Sequence, residues 1–192
     1  DVTWLLDFHD VIIMPQANPD GRKFAEQGYY WRKNTDHDDG CSSFPDYGAD
    51  LNRNSSFKWD PPLGSSTEPC DEVYRGPSAC SEPEVQAIQN FAAGLFSDWR
   101  GTNDTDAAST NAQGLFITLH SYGEDVLFPW GSSTSPSPNF LGLQTLGRKF
   151  GFFNRYNVAS SGAGLYLTSG ATDDYMYGEK GIASYTFEMG WN

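Results

Sequence analysis

The sequence predicts an α/β fold, with a mixed, mostly parallel central sheet and helices on both faces. Short apolar runs alternate along the chain with segments whose apolar residues recur at helical spacing, and this alternation is typical of such folds. Hydrophobic residues make up 38% of the 192 residues and aromatic residues 15%, a composition typical of globular proteins. The length suits one domain with a sizeable core.

One strand and a long loop are predicted in the first part of the chain. The apolar run at residues 11–14 predicts a buried strand, which ends at the turn residues Asn18-Pro19-Asp20-Gly21. Residues 22–80 are rich in Gly, Ser, Pro, Asp and aromatic residues, so they predict a loop. A loop of this length inside a compact domain is usually either functional or mis-assigned.

Helices and strands alternate after residue 80. Ser81 is the predicted N-cap of a helix, because Pro83 and Glu84 follow it in a capping-box pattern. The apolar face of this helix would consist of Val85, Ile88, Phe91 and Leu95. Residues 114–119 predict a buried strand and residues 126–128 another. Further predictions are a helix at 140–153, weakened by internal glycines, a helix at 172–180 capped by Thr172, and a final strand at 182–187.

The chain is strongly acidic, with a formal net charge of −13. Such a surface repels phosphate backbones and anionic lipids, so we expect no nucleic-acid partner and no membrane partner. No run of 18 or more apolar residues occurs, and no membrane span is predicted. We expect a monomer. The acidity favours cationic substrates, although by itself it mostly reports solubility.

The three cysteines, Cys41, Cys70 and Cys80, all lie in the region rich in Gly, Ser, Pro and Asp. They show no Cys-x-x-Cys spacing, which argues against a thiolate zinc site. A disulfide that holds this loop is the better interpretation. It implies an oxidising compartment, and therefore an extracellular, secreted protein. The sequons at Asn54 and Asn103 add slight support for secretion.

Two predicted strands end next to an ionisable residue. His120 follows Leu119, and Glu188 follows Phe187. In open α/β sheets, ligand sites lie beyond the C-terminal ends of the strands. If the two strands are parallel, His120 and Glu188 lie at the same edge, which makes that edge the first candidate for a functional site. The competing interpretation is that both are ordinary polar residues at strand ends.

Five segments supply the parts needed to bind and cut the end of a peptide. In chain order they are Trp31-Arg32-Lys33-Asn34, Asp50-Leu51-Asn52-Arg53-Asn54, Leu119-His120-Ser121-Tyr122, Leu165-Tyr166 through Asp173-Asp174-Tyr175, and Thr186-Phe187-Glu188-Met189. Together they resemble the carboxypeptidase A/B family of zinc metallocarboxypeptidases, over about residues 4–188. The family's His-x-x-Glu zinc-binding pair does not occur in the sequence. The resemblance therefore implies a single catalytic-domain fragment, residues 1–192, from the middle and later part of the family's domain and truncated at both ends.

The resemblance implies catalytic roles for four residues. His120 would ligate one zinc ion, and it is the only ligand visible in this chain. Glu188 would be the general base that activates a water molecule whose pKa zinc lowers to about 7. Arg32 would steady the oxyanion, where the alternative is a surface arginine on a loop. Asp50 resembles a carboxylate that orients the family's first zinc-ligating His.

A second set of residues would bind the substrate. The resemblance implies that Asn52 and Arg53 hold the free C-terminal carboxylate, since a guanidinium offers two parallel hydrogen bonds, and that Tyr166 closes over it. Without the resemblance, Asn52 and Arg53 would be interpreted as an ordinary turn. The other expected substrate contacts are Tyr122, Leu127 and Gly131.

Asp173 determines the expected specificity. It follows Tyr166 by seven positions, where B-like members of the family carry an aspartate and A-like members an apolar residue. A buried carboxylate pairs with Lys or Arg and disfavours apolar side chains. The alternative is that Asp173 only occupies the first turn of a helix, where the helix dipole favours it.

Three structural details are also expected. The resemblance favours a disulfide between Cys41 and Cys70, which leaves Cys80 free or paired outside this chain. It implies cis peptide bonds at Ser121–Tyr122 and Pro129–Trp130. The acidic run at residues 36–39 carries oxygen ligands of the kind that calcium prefers, with a solvated loop as the favoured interpretation.

The expected function is the removal of one C-terminal residue, Lys or Arg, by a zinc-dependent carboxypeptidase that acts on peptide or protein C-termini. One alternative is a peptide-binding module that keeps the carboxylate-binding residues and has lost the metal. Since a catalytic zinc site takes three protein ligands, zinc content separates the two. Another alternative is a carbohydrate-active enzyme that uses Asp173, Asp174 and Glu188, which leaves Arg32 and Arg53 unexplained.

Overall fold

A computed structural model describes residues 2–190, and within them it contains a mixed sheet of four strands. The strands are β1 (Leu115–His120), β2 (Asp125–Phe128), β3 (Asn157–Ser160) and β4 (Ala183–Glu188), in the spatial order β1-β4-β2-β3. β1 is parallel to β4 and β2 is parallel to β3, while β2 and β4 are antiparallel. The predicted α/β fold with a mixed, mostly parallel sheet is confirmed.

Helices pack on both faces of this sheet, chiefly α4 (Phe140–Asn154) on one face and α6 (Thr172–Lys180) on the other. The other helices are α1 (Val2–Phe8), which has no buried residue, α2 (Pro19–Glu26), α3 (Pro83–Leu95) and the short α5 (Ser161–Gly164). Two neighbouring residues of β4 show that α4 and α6 lie on opposite faces. The Ser184 hydroxyl donates to the carbonyl of Asp173 in α6 at 2.7 Å, and the Tyr185 hydroxyl donates to the carbonyl of Leu143 in α4 at 2.8 Å. Successive side chains of a strand point to opposite faces.

The core lies between the sheet and these two helices. Its buried residues include Val126, Phe128, Met176, Ile182 and Tyr185. Trp130 extends this core, because its ring stacks on Phe57 with centroids 5.3 Å apart and meets Tyr177 edge-on at 4.9 Å. The loop predicted at residues 22–80 begins only after α2, and residues 27–80 form a long irregular region with one 3-10 turn at Leu51–Arg53. Phe57 belongs to this region, so the stacking attaches it to the core.

The elements predicted after residue 120 are confirmed to within one or two residues, as α4, α6, β2 and β4. Their caps differ from the prediction. The N-cap of α6 is Ala171, and no side chain caps this helix, so the cap role expected for Thr172 is wrong. Glu82 is the N-cap of α3, and the Ser81 hydroxyl donates to Glu82 Oε1 at 2.7 Å instead of to the helix backbone.

The predicted apolar face of α3 is only partly right. Val85 is buried, but Phe91 and Leu95 are exposed, while Gln89 and Ala92 are buried in their place. The face of α3 that packs against the protein is therefore the one that carries Val85, Gln89 and Ala92, and not the more apolar face that includes Phe91 and Leu95. Gln89 can occupy it because the Ser56 hydroxyl donates to Gln89 Oε1 at 3.0 Å.

Two predictions of burial are wrong. Residues 11–14 form no strand and their apolar side chains are exposed, with Ile13 at 77%. Residues 115–120 do form β1, but Leu115, Ile117 and Leu119 are exposed. Both errors have one reason: an apolar run is buried only where another element covers it, and among residues 2–190 none covers these side chains.

Some elements were not predicted from the sequence, namely α1, α2, α5 and β3. α2 begins in the segment predicted as a turn, because Asn18 caps it by accepting the backbone N–H of Gly21 at 2.9 Å. Among residues 2–190, no helix has both the length and the apolar character required to cross a bilayer.

Candidate active site

β1 and β4 bring His120 and Glu188 together at one edge of the sheet. The two residues are partners in the register of these parallel strands, so the prediction that they share an edge is confirmed. His120 Nδ1 lies 4.0 Å from Glu188 Oε1, and the side chains are 24% and 17% exposed. Burial lowers the pKa of His120 to about 4, with a further contribution from Arg32. Burial raises the pKa of Glu188, which suits a group that takes up a proton during a reaction.

Asp50 orients Arg32 beside this pair. Arg32 Nε donates to Asp50 Oδ2 at 2.7 Å, and the Asp50 side chain is only 4% exposed. The other oxygen of this carboxylate accepts the backbone N–H of Asn52 at 3.0 Å, at the start of a 3-10 turn over Leu51–Arg53. One buried carboxylate therefore orients both Arg32 and the turn. The resemblance implied that Asp50 orients a histidine. Among the described residues, the side chain that its carboxylate binds is that of Arg32.

The two residues after Arg32 anchor its segment. Lys33 is 4% exposed, and its ammonium donates to three backbone carbonyls in the stretch between residues 46 and 71. Asn34 donates to Glu82 Oε2 at 2.6 Å, just before α3. These contacts fix the backbone of Lys33 and Asn34 to the segments around residue 70 and before α3. Arg32, the preceding residue, therefore extends into the cleft from a fixed position.

The 3-10 turn carries Asn52 and Arg53 to the same cleft. Arg53 is 2% exposed and donates from Nε to the carbonyl of Gly64 at 2.7 Å and from Nη1 to the carbonyl of Asn52 at 2.8 Å. Its Nη2 has no hydrogen bond among residues 2–190. Asn52 Oδ1 accepts the backbone N–H of Thr172 at 3.0 Å, which fixes the turn to the start of α6. Tyr166 lies at the rim of the cleft and is 50% exposed.

A cleft of about 240 Å³ collects most of the predicted site residues. Those that line it are Arg32, Asn52, Arg53, His120, Tyr122, Leu127, Tyr166, Asp173 and Glu188. Two predicted residues do not line it. Asp50 lies behind Arg32, and Gly131 lies behind Thr168, since a Cβ atom added at Gly131 would come within 2.6 Å of Thr168 Oγ1.

The adjacent carboxylates of Asp173 and Asp174 are both buried but have different partners. Asp174 accepts three hydrogen bonds, from the backbone N–H groups of Gly131 at 2.8 Å and Ser132 at 2.9 Å and from the Ser132 hydroxyl at 2.7 Å. Asp173 accepts the backbone N–H of Asp174 at 3.0 Å and lies 3.4 Å from the Ser161 hydroxyl. Among residues 2–190, no Lys or Arg forms an ion pair with either.

These partners decide which carboxylate serves the cleft. Burial raises the pKa of both, and for Asp174 the neighbouring Asp173 adds to the shift, to about 7. Asp174 fixes the loop after Trp130 and does not line the cleft, whereas Asp173 lies in its wall. Of the three carboxylates that the carbohydrate alternative named, Asp173 and Glu188 line the cleft and Asp174 does not.

Sequence reasoning missed several residues of the cleft wall. They are Asp125, Ser161, Thr168, Ala171 and, as a lining residue, Thr186. Thr186 belongs to a recognised segment, so its position two residues before Glu188 was an available signal. Thr168 and Ala171 also lie within a recognised segment, from Leu165 to Tyr175. Ser161 belongs to no segment, and only the folded chain brings it beside Asp173.

The expected structural details can be compared directly. Cys41 and Cys70 form the predicted disulfide, and Cys80 is unpaired within the described part of the chain. Both expected cis peptide bonds, Ser121–Tyr122 and Pro129–Trp130, are present. In the acidic run, His37 and Asp38 are exposed as in a solvated loop, but Asp36 and Asp39 are half-buried beside Glu82.

Comparisons with known proteins agree with the resemblance. The sequence pattern of the zinc carboxypeptidase family matches residues 1–192 of this chain. Carboxypeptidase B of Helicoverpa zea is 31% identical over 98% of this chain and 44% of that protein. Carboxypeptidase A1 of Homo sapiens is 31% identical over 97% of this chain and 42% of that protein. The crystal structure of thrombin activatable fibrinolysis inhibitor matches with a TM-score of 0.79 at 29% identity, over 98% of this chain and 45% of that one. The chain thus spans less than half the length of these relatives.

Proposed function

Since the chain belongs to the zinc carboxypeptidase family, we propose that it forms part of a zinc-dependent carboxypeptidase that releases one C-terminal residue from peptides or proteins. The observation that carries this proposal is the single cleft in which Glu188, His120 and Arg32 lie beside the turn of Asn52 and Arg53. The guanidinium of Arg53 suits a free carboxylate, and this favours cleavage at the chain end. Glu188 would take a proton from the attacking water and return it to the leaving amine.

The zinc ion of the family needs more ligands than the described residues provide. A catalytic zinc ion takes three protein ligands. The cleft is lined by one histidine, His120, and the three-residue cluster of possible ligands found among residues 2–190 lies elsewhere, at Asp36, Asp39 and Glu82. Residues 2–190 therefore do not form a catalytic zinc site. We propose that the missing ligands come from outside them, and that residues 1–192 are one part of a catalytic domain.

The same observation favours a second candidate function for this chain by itself. A module that binds peptide C-termini without cleaving them needs the carboxylate-binding residues and no metal. Asn52, Arg53 and Tyr166 all line the cleft. This function and the first share the substrate end that they recognise and differ in zinc and in hydrolysis.

Zinc stoichiometry tests the ligand count. Elemental mass spectrometry of the purified 192-residue chain, after dialysis against zinc buffer and then metal-free buffer, should give far less than one zinc per chain. The same sample should still bind a peptide with a free C-terminal carboxylate. Close to one zinc per chain would contradict the ligand count, and it would mean that a neighbouring copy or unrecognised residues complete the site.

We further propose that the cleft prefers a C-terminal Lys or Arg. The relatives named above include both A-type and B-type carboxypeptidases at the same identity, so their names do not decide the preference. The support comes from Asp173, which is buried in the cleft wall, has hydrogen bonds with the Asp174 N–H and with the side chains of Ser161 and Thr186, and has no cationic partner among residues 2–190. A buried carboxylate without a cationic partner gains most from a cationic side chain.

Peptide pairs test this preference. Calorimetry should show that Asp173→Asn weakens binding of a peptide ending in Lys by about tenfold or more, or about 1.4 kcal/mol, and barely changes binding of the matching peptide ending in Phe. Asp104→Asn, the same change on an exposed loop, is the control and should change neither. An unchanged Lys-to-Phe ratio would refute the basic preference. Equal binding of a C-terminally amidated peptide would refute recognition of the chain end itself.

We also propose an extracellular location. The Cys41–Cys70 disulfide supports it, because such bonds persist mainly in oxidising compartments. The partners would be peptide or protein C-termini, as the cleft chemistry requires. The monomeric state stays a prediction.

A further inference from the structure

We propose that Asn103 is a site of N-linked glycosylation when the chain is made in a eukaryotic secretory pathway, and that Asn54 in the folded protein is not. Both begin Asn-x-Ser/Thr sequences, Asn54-Ser55-Ser56 and Asn103-Asp104-Thr105. In the transfer, the amide Nδ2 bonds to the anomeric carbon of an oligosaccharide carried on a lipid pyrophosphate. The bond from that carbon to the pyrophosphate oxygen breaks, the lipid pyrophosphate leaves, and Nδ2 loses one proton.

Asn54 has no room for a glycan in the folded protein. Its side chain is 0% exposed. Nδ2 donates to the carbonyls of Arg75 at 2.8 Å and Ser78 at 3.0 Å and to the Ser81 hydroxyl at 2.8 Å, while Oδ1 accepts the backbone N–H of Glu82 at 3.1 Å. A sugar on Nδ2 would displace these partners and open the packing around them. A chain modified at Asn54 during synthesis is therefore expected not to reach this fold.

Asn103 has the opposite environment. Asn103, Asp104 and Thr105 are all exposed. Asn103 Nδ2 donates only within its own turn, to Asp106 Oδ2 at 2.9 Å, and a glycosylated amide keeps one N–H for that bond. The backbone of the turn is fixed by a buried residue, because Arg100 Nη2 donates to the carbonyl of Asn103 at 2.7 Å. The turn therefore presents the amide to solvent from a fixed base.

The glycan would lie away from the peptide cleft. Asp173, in the first turn of α6, lines the cleft, whereas the segment that leads to Asn103 contacts the other end of this helix. There the backbone N–H of Trp99 donates to the carbonyl of Lys180 at 3.1 Å. Lys180 follows Asp173 by seven positions, and at 1.5 Å per residue the two lie about 10 Å apart along α6. Peptide binding should therefore tolerate the modification.

Two matched variants test the assignment. Thr105→Ala and Ser56→Ala each destroy one sequon and keep its asparagine. The secreted chain, made in yeast or insect cells behind a secretion leader, is mapped by glycopeptide mass spectrometry with enzymatic release of glycans in heavy-oxygen water. We expect occupancy at Asn103 in the unaltered chain and in Ser56→Ala, and none in Thr105→Ala. If the chain is retained in the cell, the same map is made on the endoplasmic-reticulum fraction, where Asn103 must still be occupied.

Other outcomes would overturn the proposal. An unoccupied Asn103 in the unaltered chain, or a secreted and folded chain with a glycan on Asn54, contradicts it. Binding of one C-terminal peptide, measured before and after glycan removal, should agree within about twofold. A larger change would refute the placement of the glycan away from the cleft. These readouts do not depend on zinc or hydrolysis, so they can fail while the proposed function stands.

Discussion

Asp39 lies beside two other carboxylates, Asp36 and Glu82, and the three place oxygen atoms within 4.8 Å of one another. One oxygen of Asp39 is buried without a hydrogen bond among residues 2–190. Burial, and then repulsion by Asp36, Glu82 and Asp38, raises the pKa of Asp39 to about 6. The folded state thus holds this proton more tightly than the unfolded state. Its contribution to stability is complete below about pH 4 and is lost as the pH rises through about 6.

At the residue scale, Asp39→Asn should therefore change the pH dependence of stability. The amide carries no charge at any of these pH values, so the free energy of unfolding should fall less between pH 4 and pH 7 than in the unaltered chain. Above pH 7 the variant should be the more stable protein. Urea unfolding in the presence of a chelator measures both, and Asp10→Asn on an exposed segment is the control. Parallel pH curves for the Asp39 variant and the unaltered chain would contradict the prediction.

At the element scale, α6 and the long irregular region touch through a glycine. Gly178 of α6 is buried, and a Cβ atom there would overlap the ring of Phe57. That ring is itself stacked on Trp130, so moving it aside would break the stacking. Gly142 of α4 differs in every respect, since it is exposed and a Cβ atom there would meet nothing within 4 Å.

The same substitution should therefore have opposite effects in the two helices. Gly178→Ala should destabilise the protein by about 1–3 kcal/mol, because it overpacks the contact with Phe57. Gly142→Ala should stabilise it by about 0.5–1 kcal/mol, because alanine loses less backbone freedom on folding and has the higher helix propensity. Denaturant unfolding of both variants checks this pair. Stabilisation by both substitutions would show that helix propensity, and not packing, controls these positions, and destabilisation by both would contradict the prediction for Gly142.

At the scale of the whole molecule, the disulfide closes the loop that contains Asn52 and Arg53, the residues proposed to bind the substrate carboxylate. Cys41 and Cys70 are 29 positions apart in the sequence, and Asp50, Asn52 and Arg53 lie between them. This loop has little regular structure, and its other attachments are scattered. They are side-chain contacts such as those of Lys33 and single backbone hydrogen bonds, such as that from the Asp50 N–H to the carbonyl of Tyr74 at 2.7 Å. A cross-link over such a loop lowers the entropy of the unfolded chain.

Removal of the disulfide should weaken both stability and binding. The Cys41→Ser, Cys70→Ser double variant should lose about 3–4 kcal/mol of unfolding free energy from loop entropy, and it should bind C-terminal peptides less tightly because the turn of Asn52 and Arg53 is less confined. Denaturant unfolding and calorimetry measure the two effects. Cys80→Ser, which leaves the disulfide intact, should change neither by much. A double variant with unchanged stability would show that the remaining hydrogen bonds and packing hold the loop without the disulfide.

The sequence predictions are accurate where a feature depends on local periodicity, and they are wrong where it depends on contacts with distant residues. α4, α6 and β4 carry their own periodicity and the structure contains them nearly as predicted. The strand predicted at residues 11–14 and the burial predicted for β1 are wrong, because burial requires a covering neighbour that the local sequence does not specify. Helix caps also depend on distant contacts. The amide of Asn52, far along the chain, accepts the Thr172 N–H at the start of α6, a bond that no local pattern shows.

The sequence by itself determined the family, the charged and amide side chains that line the cleft, the disulfide partners, and the two residues that end β1 and β4. Those properties belong to single residues and short segments. Only the tertiary structure decided which carboxylate faces the cleft and which asparagine is exposed to solvent. It also decided how many possible metal ligands lie beside His120. Burial and charge compensation depend on residues far apart in the chain, as between Asp174 and Gly131 or Asn54 and Ser81, so folding has to bring the partners together first.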